Sequence, residues 1–336
     1  LGTAREVAEI GSQKITPVEL DRAFSRSVQN MQSMFGPTFN QQQAIQMGLL
    51  NNTVQSLVSQ KILREDAKNI GIGISDEAVR DQIFSSDSFN DPTTGQFFMR
   101  VDFTAGRGTP TQAELETRFV SKVAEHFGMR WQLHDLAKNM RVMLMVSKAG
   151  HCLNDLLHRY QTGKLPMEIT SVVSNHNALE DMTRWHDIPF HHLPVTPETK
   201  ERQEEALLDI MDTERVDVVV LARYMQILSP RLCDALHGRA INIHHSFLPS
   251  FKGARPYHQA YTRGVKIIGA TAHYVTSDLD EGPIIEQEIT RVDHTYTPEH
   301  LVSVGGDIEA KVLAHALKYH LEHRVLLDGN KTVVFR

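Results

Sequence analysis

From Arg141 onward, short and almost continuously apolar segments alternate with helical patterns, and this restricts the fold of the 336-residue chain more than any other feature. RVMLMVS, EITSVVS, VDVVVLA and AINIHHS are such segments, with PFHHL and GATAHYV as further strands. CLNDLLHRY and TKERQEEALLDIMD lie between them at helical spacing. A strand with one wet face alternates apolar and polar residues, whereas a continuously apolar strand needs cover on both faces. Helices interleaved with strands supply that cover, so the expected fold class is α/β, a doubly wound and mostly parallel sheet. IIEQEITRV adds a late strand, a helix runs from Pro298 to Arg324, and VLLDGNKTVVF forms a terminal hairpin turning at DGN.

The residues before this region have a different texture. VAEIGSQKI is strand-like, and Thr16-Pro17-Val18-Glu19 starts a helix with a Thr cap, Pro in the first turn and Glu placed to close a capping box. Gly36-Pro37 ends that helix. Leu49, Leu50, Val54, Leu57, Val58, Ile62 and Leu63 predict a second helix, broken by Gly71 and Gly73, after which Ser75 caps a short helix through Phe84. FNDPTTGQFFMRVDF reads as a hairpin. A helix then starts near Thr111 and closes at Gly128, and Met129 to Leu133 is expected as a strand. These pieces make most of a small α+β unit. No solenoid-type repeat is visible.

A net charge of −6 argues against a general nucleic-acid binder, which needs a basic field. The two cysteines, Cys152 and Cys233, form no CxxC pattern, so a reducing compartment fits and a disulfide framework does not. No run reaches the ~20 apolar residues of a membrane span, and LGTAREVAEI lacks the layout of a secretory leader. The expectation is a cytoplasmic chain that contacts neither membrane nor nucleic acid. Histidine pairs at 191–192 and 244–245 match no zinc spacing, so no metal is expected.

In an open α/β sheet, ligands bind beyond the carboxyl ends of the strands. Ser147-Lys148-Ala149-Gly150-His151 follows the first apolar strand, a small-residue turn suited to an anion or simply a tight turn into a helix. Asn242 and His244 are two residues apart and share one strand face, where an amide and an imidazole can polarise and protonate a carbonyl. His245 points the other way and is expected to be structural. GATAHYVT leads into a loop with Asp278, Asp280 and Glu281, a carboxylate set that can orient His244 or position water, or be a solvated turn. Spacing leaves the choice among the three open.

INIHHSFLPSFKGARPYHQAYTRGVKIIGATAHYVTSDLDEGPIIEQ resembles the core of the bacterial formyltetrahydrofolate deformylases, relatives of the glycinamide ribonucleotide formyltransferases. The resemblance runs from about Asp91 to Phe335. It implies a formyltransferase-type fold, hydrolysis of 10-formyltetrahydrofolate to tetrahydrofolate and formate, and a role in one-carbon balance and purine synthesis. It implies no cofactor and no metal, folate as the small-molecule partner, and room for a homo-oligomer. The family's catalytic asparagine, histidine and aspartate fall on Asn242, His244 and Asp280. Its folate pocket falls on Tyr224, Met225, Gln226, Ile227 and Leu228, and on Val275, Thr276, Ser277 and Asp278. The transferases are the nearest alternative, but they carry a glycine-rich turn and HPSLLP where this chain has SKAGHC and HHSFLP.

The family's regulatory ACT domain has the order βαββαβ, and here Asp91 to Leu136 resembles only its later part. Arg5 to about Ser86 instead resembles the N-terminal chaperone-like segment of membrane-anchored periplasmic peptidyl-prolyl isomerases, without their catalytic domain. The expected organisation is a helical segment at 1–86, an incomplete ACT-like unit at 87–137 and a catalytic domain at 138–336. A non-catalytic chaperone or binding hybrid is the alternative from another class. Gly306, where similar sequences usually carry Arg, interrupts a helix at a cost of about 1 kcal/mol against Ala.

Overall fold

The computed structural model describes residues 7–10, 13–35, 40–69, 83–105, 109–248 and 256–336. They fall in two compact units, Leu1–Asp135 and Leu136–Arg336.

In the first unit, β1 (Ala8–Ile10) and β2 (Gln13–Ile15) form a hairpin ahead of α1 (Pro17–Phe35). The Glu19 N–H donates to Thr16 Oγ1 at 3.2 Å, as the capping pattern predicts. Next come α2 (Gln41–Gln46) and α3 (Leu49–Asn69), and Phe24 and Val28 of α1 bury against Ala44, Leu49 and Leu50. The expected breaks at Gly36-Pro37, Gly71 and Gly73, and the cap at Ser75, lie outside the described residues. β3 (Ile83–Asn90) pairs antiparallel with β4 (Phe97–Phe103). Ile83 and Phe84, expected at the end of a helix, therefore open a strand. The following helix, α4, joins Gln112–Phe119 through a π turn, Val120–Ala124, to Glu125–Phe127. Thr111 and Glu114 cap its start reciprocally, and Gly128 ends it at φ 59°.

Met129 to Leu133 is not a strand, contrary to expectation. A strand exists through its ladder of hydrogen bonds. Among the described residues, no strand pairs with residues 129–133.

The second unit is built on a seven-stranded sheet of order β11-β10-β9-β8-β5-β6-β7. β5 (Met140–Val146), β6 (Met167–Ser174), β7 (Phe190–His192), β8 (Val218–Leu221) and β9 (Ala240–His244) are parallel. β10 (Ile267–Tyr274) and β11 (Ile284–Arg291) run antiparallel at one edge. The sequence order reverses at β5, so β5 and β8 flank the switch point where such sheets bind ligands.

The helices of this unit include α5 (His151–Gln161), α6 (Glu180–Arg184), α7 (Lys200–Thr213), α8 (Pro230–Ala235), α9 (Pro256–Arg263) and α10 (Pro298–Leu321). Val142, Leu144 and Val146 of β5 pack with Leu153, Leu156 and Leu157 of α5 and Val312, Leu313 and Leu317 of α10. Met143 and Met145 point the other way, onto Leu207 and Met211 of α7 and Leu232 of α8. One apolar strand thus feeds two cores, the reason its sequence does not alternate. β12 (Val325–Asp328) and β13 (Lys331–Val334) close the chain as a hairpin, with Gly329 at φ 58°.

Candidate active site

Ile241 and Ile243 of β9 enter the core under α5 and α10, which leaves Asn242 and His244 together on the opposite face. β10 lies antiparallel beside them and sets His273 opposite Asn242 and Thr271 opposite His244. His273 was not singled out by the sequence reading. Its signal was present in GATAHYV, where Ala270, Ala272 and Tyr274 are core residues and the intervening Thr271 and His273 face the site.

The His273 ring has its proton placed by the backbone. Nδ1 lies 2.8 Å from the Tyr274 carbonyl oxygen, which can only accept. In the neutral ring Nε2 then accepts from Asn242 Nδ2 at 3.2 Å, which decides how the Asn242 amide is turned.

The strand-end rule does not place Asp280. Because β10 is antiparallel, the loop after it leaves beside the start of β9, where the Val275 N–H donates to the Ala240 carbonyl. The loop turns back along the face of the sheet. Asp280 takes a left-handed φ of 60°, and Gly282 comes so near the strand that a Cβ there would lie 1.8 Å from the Tyr274 oxygen. This return puts Asp280 Oδ1 at 3.2 Å from His244 Nδ1 and 3.8 Å from His273 Nε2. Burial opposes ionisation of Asp280, but its contacts, that with His244 Nδ1 above all, outweigh it and hold the carboxyl well below the usual range. An ionised Asp280 keeps the His244 proton on Nδ1. Nε2 then carries the lone pair and accepts from Ser246 Oγ at 2.8 Å. His244 is only 9% exposed.

The residues assigned to a folate pocket occupy two loops. The first is anchored at three points: the Met225 N–H donates to Ser147 Oγ (3.0 Å), Gln203 Nε2 to Tyr224 Oη (3.3 Å) and the Ser229 N–H to Glu204 Oε1 (2.8 Å). Burial pushes the Tyr224 phenol up to about 12, so it stays protonated. Met225 and Ile227 remain 58% and 63% exposed although their backbone is held, while Leu228 packs toward the core. In the second loop Val275 is buried, and Thr276 Oγ1 donates to the Asp278 carbonyl at 3.0 Å. Asp278 thus shapes the turn through its backbone, while Asp280 meets His244 through its carboxylate.

Ser147 Oγ, at the turn considered for an anion, donates to Asn175 Oδ1 at 2.7 Å and is already satisfied. His245, expected on the opposite face, instead stacks its ring on that of His244, with its Nδ1 2.6 Å from Arg223 NH1, because it lies just past the end of β9 where strand alternation no longer holds. Among the described residues, His151, Cys152 and Glu309 bring metal-ligand atoms within 4.8 Å of one another. Their chemistry is committed elsewhere: Glu309 bonds Tyr257 and faces Arg223, and burial pushes the Cys152 thiol far up. Among the described residues, no helix is long and apolar enough to cross a membrane.

Residues 140–317 match the family model "Formyl transferase", and residues 1–101 match "SurA-like N-terminal domain". A formyltetrahydrofolate deformylase of Corynebacterium sp. (strain P-1) is 52% identical over 248 residues, which cover 74% of this chain and 86% of that protein. The crystal structure of a formyltetrahydrofolate deformylase from Pseudomonas syringae pv. tomato matches with TM-score 0.74 and 49% identity, covering 76% of this chain and 85% of that one. A glycinamide ribonucleotide transformylase from Symbiobacterium toebii is more distant, with TM-score 0.56, 27% identity, and coverage of 62% and 99%.

Proposed function

Because this chain belongs to the formyl transferase family and, within it, to the formyltetrahydrofolate deformylases, we propose that Asn242, His244 and Asp280 carry its hydrolysis of 10-formyltetrahydrofolate to tetrahydrofolate and formate. The observation that supports this assignment is the return of the loop after β10, which lays the ionised Asp280 against His244 on the face that also bears Asn242.

Water attacks the formyl carbon while His244 Nε2 takes its proton, the ring being oriented by Asp280 through Nδ1. The carbonyl oxygen becomes an oxyanion, stabilised by an N–H of Asn242 and by the imidazolium just formed. Collapse of the tetrahedral intermediate breaks the bond to the substrate nitrogen, which receives the proton from His244. Formic acid is released with tetrahydrofolate and loses its remaining proton to solvent as formate. The pterin lies between the two pocket loops: backbone groups of 224–228 and 275–278 meet its polar edge, and Met225 and Ile227 cover its faces.

The test is formate release by the purified chain with no glycinamide ribonucleotide present. Turnover is expected without that amine, and Asp280→Asn is expected to lower kcat by about a hundredfold or more. Near-wild-type turnover by a folded Asp280→Asn variant would refute the assignment. Dependence on the amine would move the chemistry to transfer.

A further inference from the structure

The polar groups that this mechanism does not use form one connected line around the end of β9. Its anchor is Glu309 on α10, 1% exposed. Tyr257 Oη donates to Glu309 Oε1 at 2.6 Å, His151 Nε2 lies 2.8 Å from Oε2, and Arg223 Nε is 3.3 Å from that same oxygen. Burial pushes the Glu309 carboxyl up, but His151, Arg223 and Tyr257 more than reverse it, so the carboxyl is held below its ordinary value.

Arg223, two residues past the end of β8, has φ 68°, a left-handed conformation that a long side chain keeps only when its surroundings hold it. From there its NH1 donates to His245 Nδ1 at 2.6 Å. A guanidinium has no lone pair to offer, so His245 Nδ1 accepts and the neutral ring carries its proton on Nε2. That ring stacks on His244, with centroids 5.0 Å apart and planes inclined by 23°.

We propose that Glu309, Arg223 and His245 are positioning residues for the reaction: Arg223, seated on Glu309, fixes His245 as a neutral plate that holds the His244 ring with its Nδ1 toward Asp280. This rests on the reading of His244 as the catalytic imidazole. An apolar ring in place of His245 would also stack, but Arg223 would have nothing to grip, and the plate would turn with the side chain. A protonated His245 would set a second cation against both Arg223 and His244. The charged and titratable groups around His245 are Arg223 after β8, Glu309 on α10, Tyr257 on α9, Asp280 in the loop after β10, and His244 on its own strand. Burial, Arg223 and His244 push the His245 ring down to about 4 against the opposing pull of Glu309 and Asp280, consistent with the neutral state the geometry requires.

The test uses the full chain with His245→Phe, which keeps the stack and loses the acceptor, and Arg223→Lys, which keeps the cation and loses the planar fork. His244→Ala serves as the reference. Thermal unfolding checks each variant, and kcat, KM and the pH dependence of kcat are measured with an NMR titration of the histidine rings. Both variants are expected to lose about tenfold to a hundredfold in kcat with KM little changed, since a misaligned group costs rate before it costs binding. In Arg223→Lys the His245 titration is expected to move and, because the two rings stack, so is the acid limb of kcat, which protonation of the base His244 sets. Wild-type kcat in either folded variant, or a loss in kcat with the limb and the His245 titration unmoved, would overturn the proposal. Full turnover by His244→Ala would instead overturn the reading of His244.

Discussion

Three acids stand in a four-residue span, 278–281, in the loop after β10, and nothing in their spacing selects one. The return of the loop commits the Asp278 carbonyl to the turn and lays the Asp280 carboxylate on His244, which is why Asp280 is the acid proposed. Asn242 and His244 needed less: a period of two places them on one face wherever the strand sits. His273 is intermediate, since alternation turns it outward but only the β9–β10 register sets it opposite Asn242. At this scale His245 makes a prediction about pH. Its folded pKa, about 4, lies below the ordinary 6.5, so between these values the unfolded chain binds more protons. Its contribution is whole above pH 6.5 and is lost as pH falls toward 4, by about 3 kcal/mol at most. Urea unfolding of the wild type and His245→Asn at pH 7 and pH 5 checks this: the wild type should lose more stability than the variant, and parallel losses would count against it.

Helix α10 carries two adjacent glycines with opposite roles. A Cβ on Gly305 would lie 2.1 Å from the ring of Tyr257, the residue that donates to Glu309. A Cβ on Gly306 meets His151 at 3.6 Å, an ordinary contact. Gly305→Ala is therefore expected to destabilise by about 1–3 kcal/mol through overpacking, whereas Gly306→Ala should gain up to about 1 kcal/mol of helix propensity. Denaturant midpoints of the two variants compare them directly, and equal shifts would dismiss the asymmetry. The sequence marked Gly306 as a weak point in a helix. It gave no sign that Gly305 is required, because Tyr257 is 48 positions away in the chain and only packing brings the two together. Met129 to Leu133 failed as a strand for a related reason, since its composition fits a strand but pairing needs a partner.

Both apolar cores that meet at the sheet, and all the proposed site residues, belong to the unit Leu136–Arg336. A chain beginning at Leu136 is expected to release formate with kcat close to that of the whole chain, because the unit has a core of its own. A soluble, folded truncation without turnover would show that the first unit contributes to the reaction. The match of residues 1–101 to a SurA-like N-terminal domain runs through β3 into β4, so the hairpin itself includes residues on both sides of the expected boundary at 86–87.

By itself the sequence determined the layered α/β architecture, the strands of the large sheet and the shared face of Asn242 and His244. Those features follow from periodicity and burial, which are local properties of a chain. Tertiary structure decided that β10 runs antiparallel, that Asp280 returns to His244, that His273 turns the Asn242 amide, and that Arg223 joins Glu309 to His245. Each of these depends on groups far apart in the chain meeting within hydrogen-bond distance. That meeting is set by strand register and packing, which no local pattern encodes.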